Sequence, residues 1–360
     1  MRMTKMNKNS TKNGSVVLIL LILLIFSIFP AFSTVPVYAA PQGNITGTFG
    51  INGAPTVNSV SLTPTGLTPQ IQYTVSVSIS DPDTINDLST LVLKLYYDAN
   101  GTTNETEFNG ISPDANAQNS AVITWTATAP GATTYTGSAA LAPAGTTWAL
   151  GTSTLPQDAA GPGTGDFGLT TFTFQFVFTV GKVATQTVNP ARWQVAVKAT
   201  DTVGQTSFNK DAEGATMDFY GEINVPATTV NWGGLPPGTD FAATAAQKSL
   251  GVTVTYIANG AWDSKVSSGA NWIGASNTAT LDPTGATAIA QQFTLKADDT
   301  ATLGSAILVS TLGSLISNTG TQTLEIGTGV TTNTLWIRLS SSFIKDTYQG
   351  IITYIIANHV

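Results

Sequence analysis

Phe172-Thr173-Phe174-Gln175-Phe176-Val177-Phe178 is the stretch that decides the fold. Successive side chains of a strand point to opposite faces, so the four phenylalanines line one side and Thr173, Gln175 and Val177 the other. An aromatic stripe of this kind is core material, because leaving four large rings in water forfeits the main driving force of folding. The same period of two recurs on both sides of it. Tyr73–Ile79 alternates apolar with small polar residues, and Leu91, Leu93, Leu95 and Tyr97 share one face of the run Leu91–Tyr97. Ala121–Trp125 and Trp193–Ala199 repeat the pattern. Asp98-Ala99-Asn100-Gly101 and Asp201-Thr202-Val203-Gly204 punctuate it as turns, since Asn and Gly tolerate positive φ. About six strands with one buried face each predict two sheets packed face to face, an all-β sandwich.

Composition agrees. Charged residues make up only 10% of the 360, hydrophobic residues 42%, and Thr and Ser are abundant, as in all-β chains. Cysteine is absent, which excludes disulfides, a thiol nucleophile and thiolate metal sites. The single histidine, His359, lies one residue from the end, so a two-histidine zinc site cannot be built within one chain. A carboxylate pair for hydrolysis would have to come from scattered residues such as Glu105, Glu107, Glu213, Glu222 or Glu325, whose spacing does not suggest one. No enzyme is expected.

The N-terminus reads as an export signal. Arg2, Lys5, Lys8 and Lys12 precede the apolar run Val16–Phe26, and Val37-Tyr38-Ala39-Ala40 supplies small residues for cleavage after Ala39. The expected result is a signal peptide over 1–39 and an extracellular or cell-surface protein. The alternative is an uncleaved leader in which residues 16–32, at the short limit for spanning a bilayer, stay as a membrane anchor. Removing the four basic residues from a net charge of −7 leaves about −11, an acidity that argues against nucleic acid as a partner.

After a Gly/Asn/Pro-rich lead-in over 40–55, two β domains are expected, 56–222 and 223–360. The first contains a long Gly/Ala/Pro/Thr-rich loop at 128–168 with room for one short strand. The strand Val75–Ile79 running into Asp81-Pro82-Asp83, then Leu91–Tyr97 and Trp193–Asp201, resembles the immunoglobulin-like modules of prokaryotic surface and S-layer proteins. The second half opens with Val230-Asn231-Trp232-Gly233-Gly234-Leu235-Pro236-Pro237-Gly238, continues through Ala258-Asn259-Gly260-Ala261-Trp262 and closes on Tyr348–Ile356. It is similar to the WxL-type β-sandwich domains of cell-surface proteins, with the departure that Trp336-Ile337-Arg338-Leu339 has two residues between Trp and Leu. Residues 302–312 fit a short helix or a strand equally well.

Three sets of side chains are candidates for chemistry. Asp81, Asp83 and Asp87 pack three carboxylates into seven residues after a strand, a density of hard oxygen donors that suits calcium; the competing reading is a turn whose side chains cap their own backbone. Asn44, Asn100 and Asn104 each open an Asn-X-Thr sequon for glycosylation. Trp148, Trp262 and Trp272 stand in loop-like context, where an indole could stack on a sugar, whereas Trp125, Trp193 and Trp336 sit in strand patterns. The function these features suggest is a structural or adhesive surface protein that assembles with itself or with other surface proteins. The alternative is a module binding cell-surface polysaccharide. The uncharged end Ile351–Ile356 is read as closing its own domain, with donation to a neighbour's sheet edge as the other possibility.

Overall fold

The computed structural model describes residues 48–100, 105–128, 136–158, 164–227, 229–241, 247–248, 251–325 and 329–359. The leader and its cleavage site, Asn44 and Asn104 lie outside the described residues. The chain divides into two units, Met1–Ile51 and Asn52–Val360, and all of the β structure among the described residues lies in the second. Among the described residues no helix is long and apolar enough to cross a membrane. The protein is all-β.

The first core is enclosed by two sheets. Its strands are β1 (Thr56–Thr63), β2 (Gly66–Leu67), β3 (Gln72–Ser80), β4 (Leu88–Asp98), β5 (Ser120–Ala127), β6 (Gly137–Ala142), β7 (Ala149–Leu150), β8 (Thr171–Thr179), β9 (Arg192–Asp201), β10 (Thr206–Lys210) and β11 (Thr216–Met217). One sheet has the order β1-β3-β8-β7 and the other β10-β9-β4-β5-β6, with β2 and β11 forming a small parallel pair. The phenylalanine stripe is β8, and it lies antiparallel to β3 with Tyr73 opposite Phe178, Val75 opposite Phe176 and Val77 opposite Phe174. Phe174, Phe176 and Phe178 are fully buried, and Phe172 packs at the rim. Burial of each ring contributes roughly 2–3 kcal/mol. In the facing sheet β4 pairs with both β5 and β9, placing Leu93 between Ile123 and Val197.

Two local expectations change. Leu91, Leu93 and Leu95 do point into the sandwich, but Lys94 and Tyr96 on the opposite face of β4 are buried too. The reason is the short helix Glu105–Gly110, whose Phe108 covers that face with Tyr96 and Ala196. Lys94 Nζ donates to the carbonyls of Phe108 (2.6 Å) and Ile111 (2.5 Å), satisfying the end of the helix, and lies 4.3 Å from the Phe108 ring centre. The segment 128–168 carries β6, β7 and a helical turn at Gly165–Gly168, more order than a loop with one short strand.

A second core runs from Val252 to Tyr354. Its strands are β12 (Gly221–Asn224), β13 (Val252–Ala258), β14 (Trp262–Ser268), β15 (Asn271–Ile273), β16 (Thr278–Leu281), β17 (Gln292–Asp298), β18 (Ile307–Leu308), β19 (Ser314–Gly320), β20 (Gly329–Leu339) and β21 (Ile352–Asn358). The larger sheet follows β12-β13-β20-β17-β16-β15 with β18 on β17, and the smaller follows β19-β14-β21. Residues 302–312 form a turn and then only the two-residue β18. The terminal strand β21 pairs with β14 of its own chain from Trp262 opposite Asn358 to Ser268 opposite Ile352, so it closes its own sheet.

The two cores meet through buried polar contacts. Asn259 is wholly buried; its amide donates to the carbonyls of Ala184 (2.9 Å) and Asp218 (2.8 Å), and its Oδ1 accepts from Tyr220 N (2.7 Å). Gln118 and Gln322 reach across in opposite directions, to the carbonyls of Thr323 and Val183.

Candidate metal centre

The chain leaves β3 at Ser80 and must cross from one sheet to the other before β4 begins at Leu88. The crossing is Asp81–Asp87. Pro82 biases Asp81 to an extended backbone, and the amide of Asp81 donates to Thr170 O (2.9 Å). Thr84 takes a positive φ of 77°, an uncommon state for a β-branched residue. It lets the chain fold into a helical turn, Ile85–Asp87, anchored by buried Ile85, whose amide donates to Leu169 O. This corner brings Asp81, Asp83 and Asp87 together, with one carboxylate oxygen of each lying within 4.8 Å of the others.

The three carboxylates have different surroundings. Asp83 is exposed and accepts from Gly53 N; Asp87 is half-buried and accepts from Asn52 Nδ2 (2.6 Å) and from the Thr202 hydroxyl. Gly53 has to be small here, because a Cβ would come within 2.9 Å of Pro82 Cγ. Asp81 is only 1% exposed. Its Oδ1 accepts from Asp83 N (2.9 Å), while its Oδ2 has no hydrogen-bond partner. Burial pushes the Asp81 carboxyl up to about 6, and the nearby charges of Asp87, Asp83 and Asp201 add to the effect.

A turn that merely capped its own backbone would need Asp81 Oδ1 alone. It does not account for a buried carboxylate oxygen left bare among three other negative charges, an arrangement that costs free energy at neutral pH unless a proton or a cation joins it. The donors are all hard oxygens, as Ca²⁺ prefers, and Asp81, Asp83 and Asp87 are the residues that would hold it. Zinc would find neither nitrogen nor sulfur in this set.

Comparison with known protein families and with curated proteins finds no match for this chain.

The other candidates fare differently. Trp148, Trp262 and Trp272 are 4%, 4% and 7% exposed, which corrects their assignment to accessible loops and leaves no indole face free for a sugar. Each packs against a glycine distant in sequence: Gly181 under Trp148, Gly320 under Trp262 and Gly350 under Trp272, where a Cβ would fall inside the ring. Trp125 has the same relation to Gly137. Of the sequons, only Asn100 is described, and it is exposed in the bend after β4. One residue escaped the sequence reading altogether. Asp201, read only as the start of a turn, sits at the end of β9 opposite Leu88 and so beside the Asp81–Asp87 corner.

Proposed function

We propose that this chain is an exported, non-catalytic cell-surface protein with a structural or adhesive role, such as an S-layer, filament or matrix component, whose first β-sandwich carries calcium. The observation that carries this reading is the bare, buried Oδ2 of Asp81 in its carboxylate cluster, a site that makes sense where calcium is plentiful. The basic and apolar leader supports export, and the resemblance to surface-protein modules supports the location. The lack of cysteine and the single terminal histidine support a role carried by surfaces.

Assembly would run through sheet edges. β6 and β21 each end their sheet in the strand order, and neither contains a charged residue. Charged side chains are the usual guard against edge-to-edge pairing, and their lack in these two strands supports pairing with a neighbour. Electron microscopy of the purified mature protein, with calcium and with chelator, tests the reading. Ordered sheets or filaments in calcium are expected; dispersed monomers in both conditions at high concentration would overturn the structural role.

A further inference from the structure

We propose that Asp201 is the fourth carboxylate of the cation site, so that one Ca²⁺ ties the β3–β4 corner to the end of β9 and thereby joins the two sheets of the first sandwich. The inference rests on the calcium reading above and extends it to a loop about 120 residues further along the chain.

Asp201 repeats the signature of Asp81. It is 2% exposed. Its Oδ1 accepts from the amides of Val203 (3.0 Å) and Gln205 (2.7 Å), and its Oδ2 has no partner. Thus two buried aspartates at one corner each spend one oxygen on their own loop and leave the other bare. The loops are already tied together: Thr202 N donates to Asp87 O (2.8 Å), and the Thr202 hydroxyl donates to the Asp87 carboxylate. Gln205 Nε2 donates to both oxygens of Asn52 (3.2 and 2.9 Å), whose own amide reaches Asp87. Among the described residues, the ion pairs are Lys182–Glu222, Lys198–Glu105, Arg338–Asp240 and His359–Asp263, and none involves Asp81, Asp83, Asp87 or Asp201. Asp201 stands outside the trio whose oxygens lie within 4.8 Å of one another, but its charge acts on Asp81, and the four carboxylates, none with a basic partner, present a strong field for a divalent cation. A ligand set drawn from both loops also brings the oxygen count closer to the six to eight that calcium takes.

The geometry has a mechanical consequence. Asp81 follows β3 in one sheet, while Asp201 ends β9 in the other. A cation held by both makes the corner a cross-link, whereas a cation held by Asp81, Asp83 and Asp87 alone would order a single loop.

Calcium chloride titrated calorimetrically into the full mature chain tests this, with Asp201→Asn and Asp83→Asn beside the wild type. Asparagine keeps Oδ1 for the Val203 and Gln205 amides, so the loop retains its shape. The expected result is a single site in the wild type that weakens at least about tenfold in both variants. No calcium binding by the wild type would mean that the calcium reading itself is wrong. Wild-type binding with Asp201→Asn within twofold of it would leave that reading standing and overturn the role of Asp201. Hydrogen exchange on the wild type needs no variant to fold: calcium should protect the amides of 201–205 together with those of 81–87, and protection confined to 81–87 would also overturn the inference.

Discussion

Asp81→Asn should stabilise the protein without calcium and destabilise it with calcium, and this reversal of sign is the sharpest consequence of the carboxylate corner. The ordinary carboxyl value of 3.8 rises to about 6 at Asp81, chiefly through burial. Because the folded value lies above the unfolded one, the unfolded chain releases this proton first as pH rises. The contribution is therefore fully present below about pH 4 and is lost as pH climbs through about 6. At neutral pH the metal-free protein carries the whole penalty of an ionised, buried Asp81. At 1.36 kcal/mol for each pH unit between the two values, the upper limit is about 3 kcal/mol, and solvent reaching exposed Asp83 reduces it to about 1–3 kcal/mol.

Asparagine removes the charge and keeps Oδ1 as acceptor for Asp83 N, and its amide hydrogens can turn toward the neighbouring carboxylates. In chelator at neutral pH the variant should gain those 1–3 kcal/mol, seen in urea denaturation followed by the fluorescence of the buried tryptophans, and the gain should vanish near pH 4. In calcium at about a thousand times its dissociation constant the wild type gains about 4.1 kcal/mol that the variant largely forgoes, more than the variant's lead, so the order inverts. A variant less stable than wild type in chelator at neutral pH would refute the reasoning. So would a wild type whose chelated stability is flat between pH 4 and 7.

Three substitutions and one deletion probe the rest of the fold. Asn259→Ala leaves the carbonyls of Ala184 and Asp218 and the amide of Tyr220 without partners in a buried junction, and should cost about 2–4 kcal/mol in denaturation midpoint measurements. Gly320→Ala forces a methyl into the Trp262 ring and should cost about 1–3 kcal/mol, whereas Gly304→Ala, which meets nothing, should be close to neutral by the same assay. Deleting residues 348–360 removes β21, the partner of β14 over its whole length, together with buried Tyr354; circular dichroism should then report loss of the second core's cooperative melting rather than a folded monomer that merely fails to assemble.

The strands were legible where burial is one-sided. β3 and β8 write their inward faces into the sequence as a strict period of two, and their register, Tyr73 to Phe178 and Val77 to Phe174, matches apolar with apolar. β4 hides its second buried face because Phe108, in a helix after the strand, decides it. The tryptophans in turn-like contexts were illegible for a different reason. What buries Trp148, Trp262 and Trp272 includes the missing side chain of a distant glycine, and an absent Cβ leaves no hydropathy signal at the tryptophan itself. Asp201 was hidden in the same way: its place beside Asp81 depends on the pairing of β4 with β9, which no local pattern encodes.

That hidden pairing bears on how a chain without cysteine can resist unfolding. A disulfide stabilises mainly by closing a loop in the unfolded chain, and the effect grows with the logarithm of the loop length. A cation held by Asp81 and Asp201 spans about 120 residues, a loop as long as many that disulfides close. It would act through the folded state instead, since calcium would bind the assembled corner and not the separated loops, and its contribution would rise with calcium concentration. The same corner without calcium carries uncompensated carboxylates and is weakened at neutral pH. The first sandwich would therefore be strengthened on reaching a calcium-rich exterior and left weaker where calcium is scarce, a dependence on place that a disulfide provides through redox and this sequence, lacking cysteine, cannot.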